Sequence, residues 1–191
     1  MAQLTEIRWH GRGGQGVVTA GKLLAETALG TDQYFQAFPD YGPERMGAPI
    51  RGYNRISDAP VRLHCDVRTP GIVVVLDPTL LGSGDITSGL RPEGKVLVNS
   101  TESPEEIRKK LGLESGSVYT VDATGIALKE IGRAIPNSPM IGALIKVTGL
   151  ADIDSMSSIV AKKFEGKFGD ELIKGNIKAM KRAYEEVRGE Q

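Results

Sequence analysis

A glycine-rich turn near the amino terminus is the strongest constraint on what this chain can fold into. Residues 11–16 match the pattern G-x-G-x-x-G. They follow a short segment in which Ile7 and Trp9 alternate with polar residues, which predicts a strand. Apolar spacing over residues 17–29 then predicts a helix that ends at Gly30. A strand, a glycine turn and a helix in this order open many α/β folds that bind a phosphorylated ligand.

The glycine turn predicts a binding site for a phosphate group. Glycines allow a sharp turn and a close approach of the backbone to a ligand, and the free N–H groups at a helix start attract an anion. A guanidinium group, as on Arg12, suits the same phosphate. The candidate binding residues of the turn are Gly11, Arg12, Gly13, Gly14, Gln15 and Gly16. The alternative is a tight connection that binds nothing.

A nicotinamide dinucleotide is disfavoured as the ligand of this turn. Such a site needs an acidic residue at the end of the second strand, about 20 residues further on, to bind the ribose. The predicted second strand covers residues 34–38 and has no acid at its end. Asp32 comes too early, and Asp40 follows a proline in the next loop.

The loop over residues 39–49 supplies one more candidate ligand. Its glycines and prolines disfavour regular structure, and a loop after a strand end lies beside the ligand crevice of a doubly wound fold. Arg45 is therefore a candidate for contacting a phosphate or a partner surface. The alternative for Arg45 is an ion pair with its neighbour Glu44.

The remainder of the chain predicts one α/β domain over residues 1–191. Residues 49–56 and 61–67 alternate in polarity and predict a β-hairpin, whereas the apolar run at 72–76 predicts a central parallel strand. Later strands are predicted at 95–99 and 118–121. One helix is predicted to begin after Ser103, and further helices are predicted at 124–133, 140–148, 153–164 and 170–188. The predicted helix caps are Ser103, Asp122 and Ser138. We expect a doubly wound, Rossmann-like, mostly parallel sheet with an inserted β-hairpin and a helical carboxyl terminus.

Composition excludes several classes of protein. The 24 Lys and Arg residues balance 24 Asp and Glu residues, which argues against broad attraction to nucleic acid or to an anionic membrane. The chain has one cysteine, Cys65, so it cannot by itself hold an iron–sulfur cluster with four thiolate ligands. One cysteine also fits a reducing compartment, and no signal peptide or membrane-spanning run is evident, so we expect a cytoplasmic protein.

The sequence predicts no catalytic residue and no metal ligand. It has no nucleophile elbow, no P-loop lysine motif and no pair of histidines at metal-binding spacing. His64 and Cys65 are neighbours in a predicted strand and would point to opposite faces, so Cys65 is predicted to be a small core residue. His10 precedes the glycine turn and is a minor catalytic candidate, with a structural role at the strand end favoured.

Four segments taken in order resemble the gamma subunits of the 2-oxoacid:ferredoxin oxidoreductases, and among these the pyruvate branch. The segments that carry the resemblance are residues 11–25, 36–49, 121–124 and 135–144. The glycine turn alone is common to many proteins, whereas the four segments together are specific. The similarity extends from about Ile7 to Tyr184.

The resemblance implies an enzyme assembled from several chains. Such complexes convert a 2-oxoacid, here pyruvate, with coenzyme A and oxidised ferredoxin into an acyl-CoA, carbon dioxide and reduced ferredoxin. Thiamine diphosphate is expected between the alpha and beta subunits and iron–sulfur clusters on the delta subunit, so this chain would bind no cofactor alone. The gamma subunit is associated with coenzyme A binding and with contacts to the other chains, which would make Arg12 and Arg45 candidates for the phosphates of coenzyme A.

Three alternatives stay open at this point. The loop containing Arg45 also resembles gamma subunits that serve branched-chain 2-oxoacids. A free-standing oxidoreductase could use the glycine turn for NAD(P). A purely structural subunit would complete the complex and bind no ligand.

Overall fold

The computed structural model describes residues 4–27, 32–40, 47–82 and 85–190. Its described residues form a seven-stranded sheet in the order β2-β3-β1-β4-β5-β6-β7. The strands are β1 Leu4–Arg12, β2 Tyr34–Asp40, β3 Pro49–Ser57, β4 Ile72–Val75, β5 Lys95–Asn99, β6 Ser117–Val121 and β7 Arg188–Gly189. Strands β1, β4, β5 and β6 are mutually parallel, whereas β2, β3 and β7 pair antiparallel at the two sides. The predicted α/β class and its parallel centre are confirmed.

Helices cover both faces of the parallel centre. The helices are α1 Val17–Glu26, α2 Pro104–Leu111, α3 Ala123–Ile131, α4 Asn137–Thr148, α5 Ile153–Phe164 and α6 Asp170–Glu186, and a short 3-10 helix covers Pro78–Gly82. Helix α4 is buried along nearly its whole length, because α6 packs against it from outside and the sheet lies beneath it. The helical carboxyl terminus is confirmed. Among the described helices, none is both long enough and apolar enough to cross a membrane.

Alternation along β1 assigns its side chains to two different environments. Ile7 and Trp9 are fully buried in the apolar cluster that includes α1 and α4. The indole Nε1 of Trp9 donates a hydrogen bond to Asn54 Oδ1 at 2.7 Å, which satisfies the polar atom of a buried ring. Arg8 and His10 point to the opposite face of the sheet, because successive side chains of a strand alternate.

The predicted hairpin between residues 49–56 and 61–67 is wrong, because the strand at 49–57 pairs with two other strands. Residues 49–57 pair antiparallel with β2 on one side and with β1 on the other, so both hydrogen-bonding edges of β3 are occupied. Residues 61–67, the predicted partner, form no strand. They run along one face of the sheet, where the carbonyls of Leu63, Cys65 and Asp66 accept hydrogen bonds from Arg55.

Cys65 is exposed rather than buried, so the prediction of a core cysteine is wrong. The prediction assumed that residues 61–67 were a strand with one face in the core. The segment is irregular and lies on the surface, so its thiol is not carried inward by strand alternation. Cys65 is the one cysteine of the chain.

Two of the three predicted helix caps are confirmed. Ser103 and Glu106 form a capping box at α2, and the Asp122 side chain accepts a hydrogen bond from Gly125 N at α3. Ser138 is not a cap, because α4 already begins at Asn137 and has Pro136 at its N-cap. Its hydroxyl instead donates to Asn176 Oδ1 of α6 at 2.7 Å. The predicted stop of α1 at Gly30 lies outside the described residues.

Candidate functional site

Two glycines of the turn are needed for its backbone conformation. Gly14 has φ +95° and Gly16 has φ +83°, a left-handed region that side chains disfavour. A Cβ atom at Gly14 would meet nothing within 4 Å, whereas one at Gly16 would lie 2.5 Å from Asn137 Nδ2. Gly14 is therefore required by conformation alone, and Gly16 by conformation and by close packing against α4.

The other glycines hold the turn against its neighbours. A Cβ atom at Gly11 would lie 2.6 Å from Val17 Cγ2, so a glycine lets β1 pass directly beneath α1. Gly13 N donates a hydrogen bond to Ala48 O at 3.0 Å. The turn is thereby tied to the segment that enters β3. Arg45 itself lies outside the described residues.

Arg12 and Gln15 are engaged by an aspartate at the end of β4. Arg12 Nε lies 3.1 Å from Asp77 Oδ2, and Gln15 Nε2 donates to the same oxygen at 2.8 Å. Burial alone would raise the pKa of Asp77, but hydrogen bonds from Thr79 and Gln15 and the charge of Arg12 lower it. Asp77 therefore stays ionised and offsets the Arg12 charge within the crevice at the strand ends.

Two neutral hydrogen-bond acceptors also orient the guanidinium group of Arg12. Its Nη1 donates to Gly47 O at 3.1 Å, and its Nη2 donates to Thr79 Oγ1 at 3.0 Å. The side chain keeps 34% of its surface exposed, so the guanidinium still reaches solvent. Sequence reasoning missed Asp77, although an acid directly after the apolar run at 72–76 could have indicated it.

A cavity of about 430 Å³ lies on the other side of the glycine turn, between α1, the entry to α4 and the α5–α6 connection. Its volume falls within the usual range of small-molecule sites. Gly14, Gly16 and Asn137 line one end. The basic side chains at its wall belong to Lys22, Arg133, Lys163 and Lys167, and the larger apolar ones to Leu23, Ile131, Ile135, Phe164, Phe168 and Leu172.

The glycine end of this cavity favours an anion. Helix α1 begins at Val17 with Gly16 as its N-cap, without a side-chain cap and without an acidic residue in its first turn, so no side chain of this helix satisfies its first N–H groups or offsets its dipole. Asn137 is 7% exposed and lines the same end. Its Oδ1 accepts from Ser138 N at 2.9 Å, while within the described part of the chain Nδ2 has no hydrogen-bond partner. The amide therefore offers a free donor beside the turn.

The basic side chains at the cavity wall differ in availability. Lys163 pairs with Glu26 of α1. Lys22, Arg133 and Lys167 have no acidic partner among the described residues. Three uncompensated cations around an apolar cavity suit a ligand with both anionic and apolar parts.

The structure brings together only some of the residues selected from the sequence. Gly14 and Gly16 line the cavity, whereas Arg12 and Gln15 lie across the turn with Asp77. Sequence reasoning missed Lys22, Arg133, Asn137 and Lys167, because they come from two helices and two connections that are far apart in the sequence. Lys22 and Asn137 lay within segments that carry the resemblance, but no local pattern marked either as a ligand. Within the described ranges, no cluster of three His, Cys, Asp or Glu side chains could hold a metal ion.

Comparison with known proteins finds close relatives along nearly the whole chain. The model of the pyruvate ferredoxin/flavodoxin oxidoreductase family matches residues 6–186. The sequence is 50% identical over 183 residues to pyruvate synthase subunit PorC of Thermotoga maritima, covering 96% of this chain and 94% of that protein. It is 44% identical over 181 residues to the pyruvate/ketoisovalerate oxidoreductases common subunit gamma of Thermococcus kodakarensis, covering 95% and 96%.

Solved structures agree with the sequence relatives. The fold matches the crystal structure of pyruvate oxidoreductase subunit PORC from Thermotoga maritima with a TM-score of 0.88. The two chains are 46% identical in that comparison, which covers 99% of each. The similarity therefore includes the sheet, the glycine turn and the helices that enclose the cavity.

Proposed function

Because this chain belongs to the pyruvate ferredoxin/flavodoxin oxidoreductase family, we propose that it is the gamma subunit of a multi-chain pyruvate:ferredoxin oxidoreductase. The complex would convert pyruvate, coenzyme A and oxidised ferredoxin into acetyl-CoA, carbon dioxide and reduced ferredoxin. The chain covers nearly the full length of relatives that carry subunit names. We assign residues 1–191 to one gamma-type domain that acts within the complex.

The contribution of this chain is to bind coenzyme A and to contact the other subunits. The observation that carries this proposal is the cavity of about 430 Å³ with the glycine turn at one end. Coenzyme A carries a diphosphate and a ribose phosphate together with an adenine ring. The start of α1 and Asn137 suit a phosphate, whereas Lys22, Arg133 and Lys167 suit the remaining negative charge. The apolar wall suits the ring.

The turn residues have two roles under this proposal. Gly14 and Gly16 let the ligand approach the backbone, and Gly11 and Gly13 hold the turn in place. Arg12 and Gln15 are held by Asp77 at 3.1 and 2.8 Å, so they orient the turn, and Arg12 reaches a phosphate only by sharing its charge with that carboxylate. Arg45 stays a candidate ligand from the neighbouring loop.

The chemistry of oxidation belongs to the partner subunits. We propose alpha, beta and delta chains as partners, with thiamine diphosphate and iron–sulfur clusters on them and ferredoxin as the external electron acceptor. One cysteine in the whole sequence is too few for a four-thiolate cluster, which supports this division. A cytoplasmic location is part of the same proposal, since a chain with a single cysteine suits a reducing compartment.

Steady-state kinetics of the assembled complex test the coenzyme A site. Lys22→Gln combined with Arg133→Gln should raise the KM for coenzyme A about tenfold or more, since a charge-assisted hydrogen bond contributes about 1.5–3 kcal/mol. The KM for pyruvate should stay unchanged. Lys129→Gln, at an exposed position of α3 outside the cavity, is the matched control. An unchanged KM for coenzyme A in the double variant would contradict the assignment of the cavity.

The two arginines chosen from the sequence need a separate measurement. Arg12→Ala and Arg45→Ala, each in the assembled complex, should raise the coenzyme A requirement without changing thiamine diphosphate binding. Because Arg12 shares its charge with Asp77, Asp77→Asn should have the opposite effect and lower the KM for coenzyme A. If Arg12→Ala leaves the coenzyme A requirement unchanged, Arg12 only supports the turn.

Purification of the chain with its native partners tests the class of protein. Recovery with a thiamine-binding pair and a small iron–sulfur protein is the expected result, and recovery of the chain alone would overturn it. Fluorescence titration with NADH distinguishes the pyruvate complex from a free-standing oxidoreductase. Only the free-standing enzyme requires the purified chain to bind NADH tightly. The comparisons favour the pyruvate complex over that alternative, because the relatives carry subunit names.

A further inference from the structure

A second cavity, of about 200 Å³, lies on the opposite face of the sheet from the glycine-turn cavity. His10 of β1, Arg51 of β3 and Asp40 of β2 line it and lie in one row across three paired strands. Asp85 lines it from the far side. The apolar side chains Leu80 and Ile86 complete its wall. Nothing in the proposed binding of coenzyme A uses this cavity.

His10 presents a hydrogen-bond donor to this cavity. Its ring is 3% exposed, and its Nε2 accepts a hydrogen bond from Arg8 Nε at 3.1 Å. Burial and the charges of Arg8 and Arg51 lower the pKa of His10 to about 3, so the ring is neutral near pH 7. Since Nε2 is the acceptor, the single proton is on Nδ1. Over the described ranges, Nδ1 has no hydrogen-bond partner.

Arg8 places a buried positive charge behind His10. It is 6% exposed and donates to the carbonyls of Val67, Ile86 and Ser88 at 3.4, 3.0 and 2.7 Å. Within the described ranges, no carboxylate lies within ion-pair distance of Arg8. A buried cation without an acidic partner is costly, so an anion in the adjacent cavity would be stabilised by it.

Arg51 and Asp85 form an ion pair at the mouth of the cavity. Both side chains are well exposed, at 41% and 52%, so the pair contributes little stability and can exchange partners readily. Asp40 on the same row accepts a hydrogen bond from Tyr53 Oη at 3.4 Å. Arg51 is therefore the cation that a ligand could recruit.

We propose that this cavity binds a small carboxylate with a short apolar side chain. The carboxylate accepts hydrogen bonds from His10 Nδ1 and from Arg51, which exchanges its Asp85 partner for the ligand. The apolar end packs against Leu80 and Ile86. A volume of 200 Å³ equals the liquid volume of roughly six or seven waters, which limits the ligand to a few carbon atoms. Short 2-oxoacids and simple fatty acids share this chemistry.

Nuclear magnetic resonance of the histidine rings in the full chain tests the proposal. The sequence contains two histidines; His10 is buried and His64 is exposed, so His64 is an internal reference. Acetate, pyruvate and 2-oxoisovalerate are titrated at constant ionic strength, with inorganic phosphate and chloride as comparisons. We expect a saturable shift of His10 in the millimolar range, corresponding to about −4 kcal/mol, and no saturable shift of His64. Isovalerate, which has the carbon skeleton of 2-oxoisovalerate without the keto group, is titrated in parallel. Tighter binding of 2-oxoisovalerate than of isovalerate identifies the keto group as part of recognition.

Two variants with opposite expected effects separate binding from a structural role. Arg51→Gln should abolish the saturable shift of His10, whereas Asp85→Asn should tighten binding several-fold because Arg51 is then free. Arg68→Gln, at an exposed position that does not line the cavity, is the charge-matched control and should leave the His10 shift unchanged. Equal behaviour of Arg51→Gln and Asp85→Asn would overturn the proposal, as would a shift of His10 that phosphate or chloride reproduces. Neither Arg51→Gln nor Asp85→Asn should change the KM of the assembled complex for coenzyme A, so this test is independent of the coenzyme A site.

Discussion

The two halves of the sheet bury their strands in different ways. In the half formed by β4, β5 and β6, Val73, Val75, Val96 and Val98 form an apolar cluster with Ile107 of α2. In the half formed by β1 and β3, the same face of the sheet carries buried charged and polar side chains instead. The same sheet therefore combines burial stabilised by apolar contact with burial stabilised by ion pairs and hydrogen bonds.

The charged half depends on one arginine at its centre. Arg55 is 1% exposed, and its Nε donates to Glu6 Oε1 at 2.9 Å. Arg91 donates to the other oxygen of Glu6 at 3.1 Å. Arg55 Nη2 also donates to Cys65 O at 2.7 Å, so this network fastens the irregular segment 61–67 over the sheet. Helix α2 covers the apolar half, whereas the irregular segment 61–67, held by hydrogen bonds from Arg55, covers the charged half.

The largest expected effect comes from breaking the charged half. Glu6→Gln leaves the buried Arg55 without its ionised partner, which should lower the free energy of unfolding by about 3–5 kcal/mol. Urea denaturation followed by circular dichroism measures it. Glu114→Gln, at an exposed position, should change stability by less than about 0.5 kcal/mol. Equal losses in both variants would show that the ion pairs contribute nothing specific.

A smaller loss is expected from the apolar half. Val98→Ala removes two methyl groups from a fully buried position and should lower the free energy of unfolding by about 2 kcal/mol, from lost transfer free energy and a small cavity. The same denaturation experiment applies. Leu63→Ala, on the exposed segment that covers the charged half, is the control and should lie within about 0.5 kcal/mol of the parent. A larger loss in Leu63→Ala would mean that this segment packs through its side chains.

The smallest effect is expected at the helix that covers the apolar half. Ser103 Oγ accepts a hydrogen bond from Glu106 N at 3.2 Å, and Glu106 Oε2 accepts one from Ser103 N at 2.8 Å. Ser103→Ala should lower the free energy of unfolding by about 1 kcal/mol. Ser115→Ala, in the exposed connection after α2, should be neutral. A neutral Ser103→Ala would show that packing alone holds α2.

The same capping box should respond to pH. The hydrogen bond from the Ser103 backbone lowers the pKa of Glu106. A carboxyl group with a lowered pKa stabilises the folded state above its unfolded pKa and loses that contribution as the pH falls through its folded pKa. The difference in the free energy of unfolding between the parent and Glu106→Gln, measured by urea denaturation, should therefore shrink as the pH falls into the acid range. A difference that stays constant down to the acid range would exclude an ionised Glu106 from the box.

The apolar half of the fold could be read almost directly from the sequence. The run at 72–76 predicts β4, and β5 has the predicted bounds, 95–99. On the opposite face of the sheet, α5 also has its predicted bounds, 153–164. Periodicity is a local property, so a strand buried on both faces or an amphipathic helix shows it without reference to the rest of the chain.

The charged half and the candidate site could be read only in part. The alternation of residues 49–56 predicts a strand but does not specify which segment pairs with it, and the chosen partner, 61–67, was wrong. The glycine turn was evident, yet Asp77 beside Arg12 and Lys22, Arg133 and Lys167 around the cavity come from distant parts of the chain. Distant residues meet only when the sheet and helices assemble, and no local pattern marks that contact.

The sequence by itself determined the α/β class, the glycine turn and the resemblance to gamma subunits, because turn geometry and hydrophobic periodicity depend on neighbouring residues. Only the tertiary structure decided which charges are compensated. It paired Arg55 with Glu6 and Arg12 with Asp77, left Arg8 without an ion-paired carboxylate among the described residues, and formed the glycine-turn cavity and the His10 cavity on opposite faces of the sheet. The physical reason is that the cost of a charge depends on its burial and on the partners that folding brings within a few ångströms.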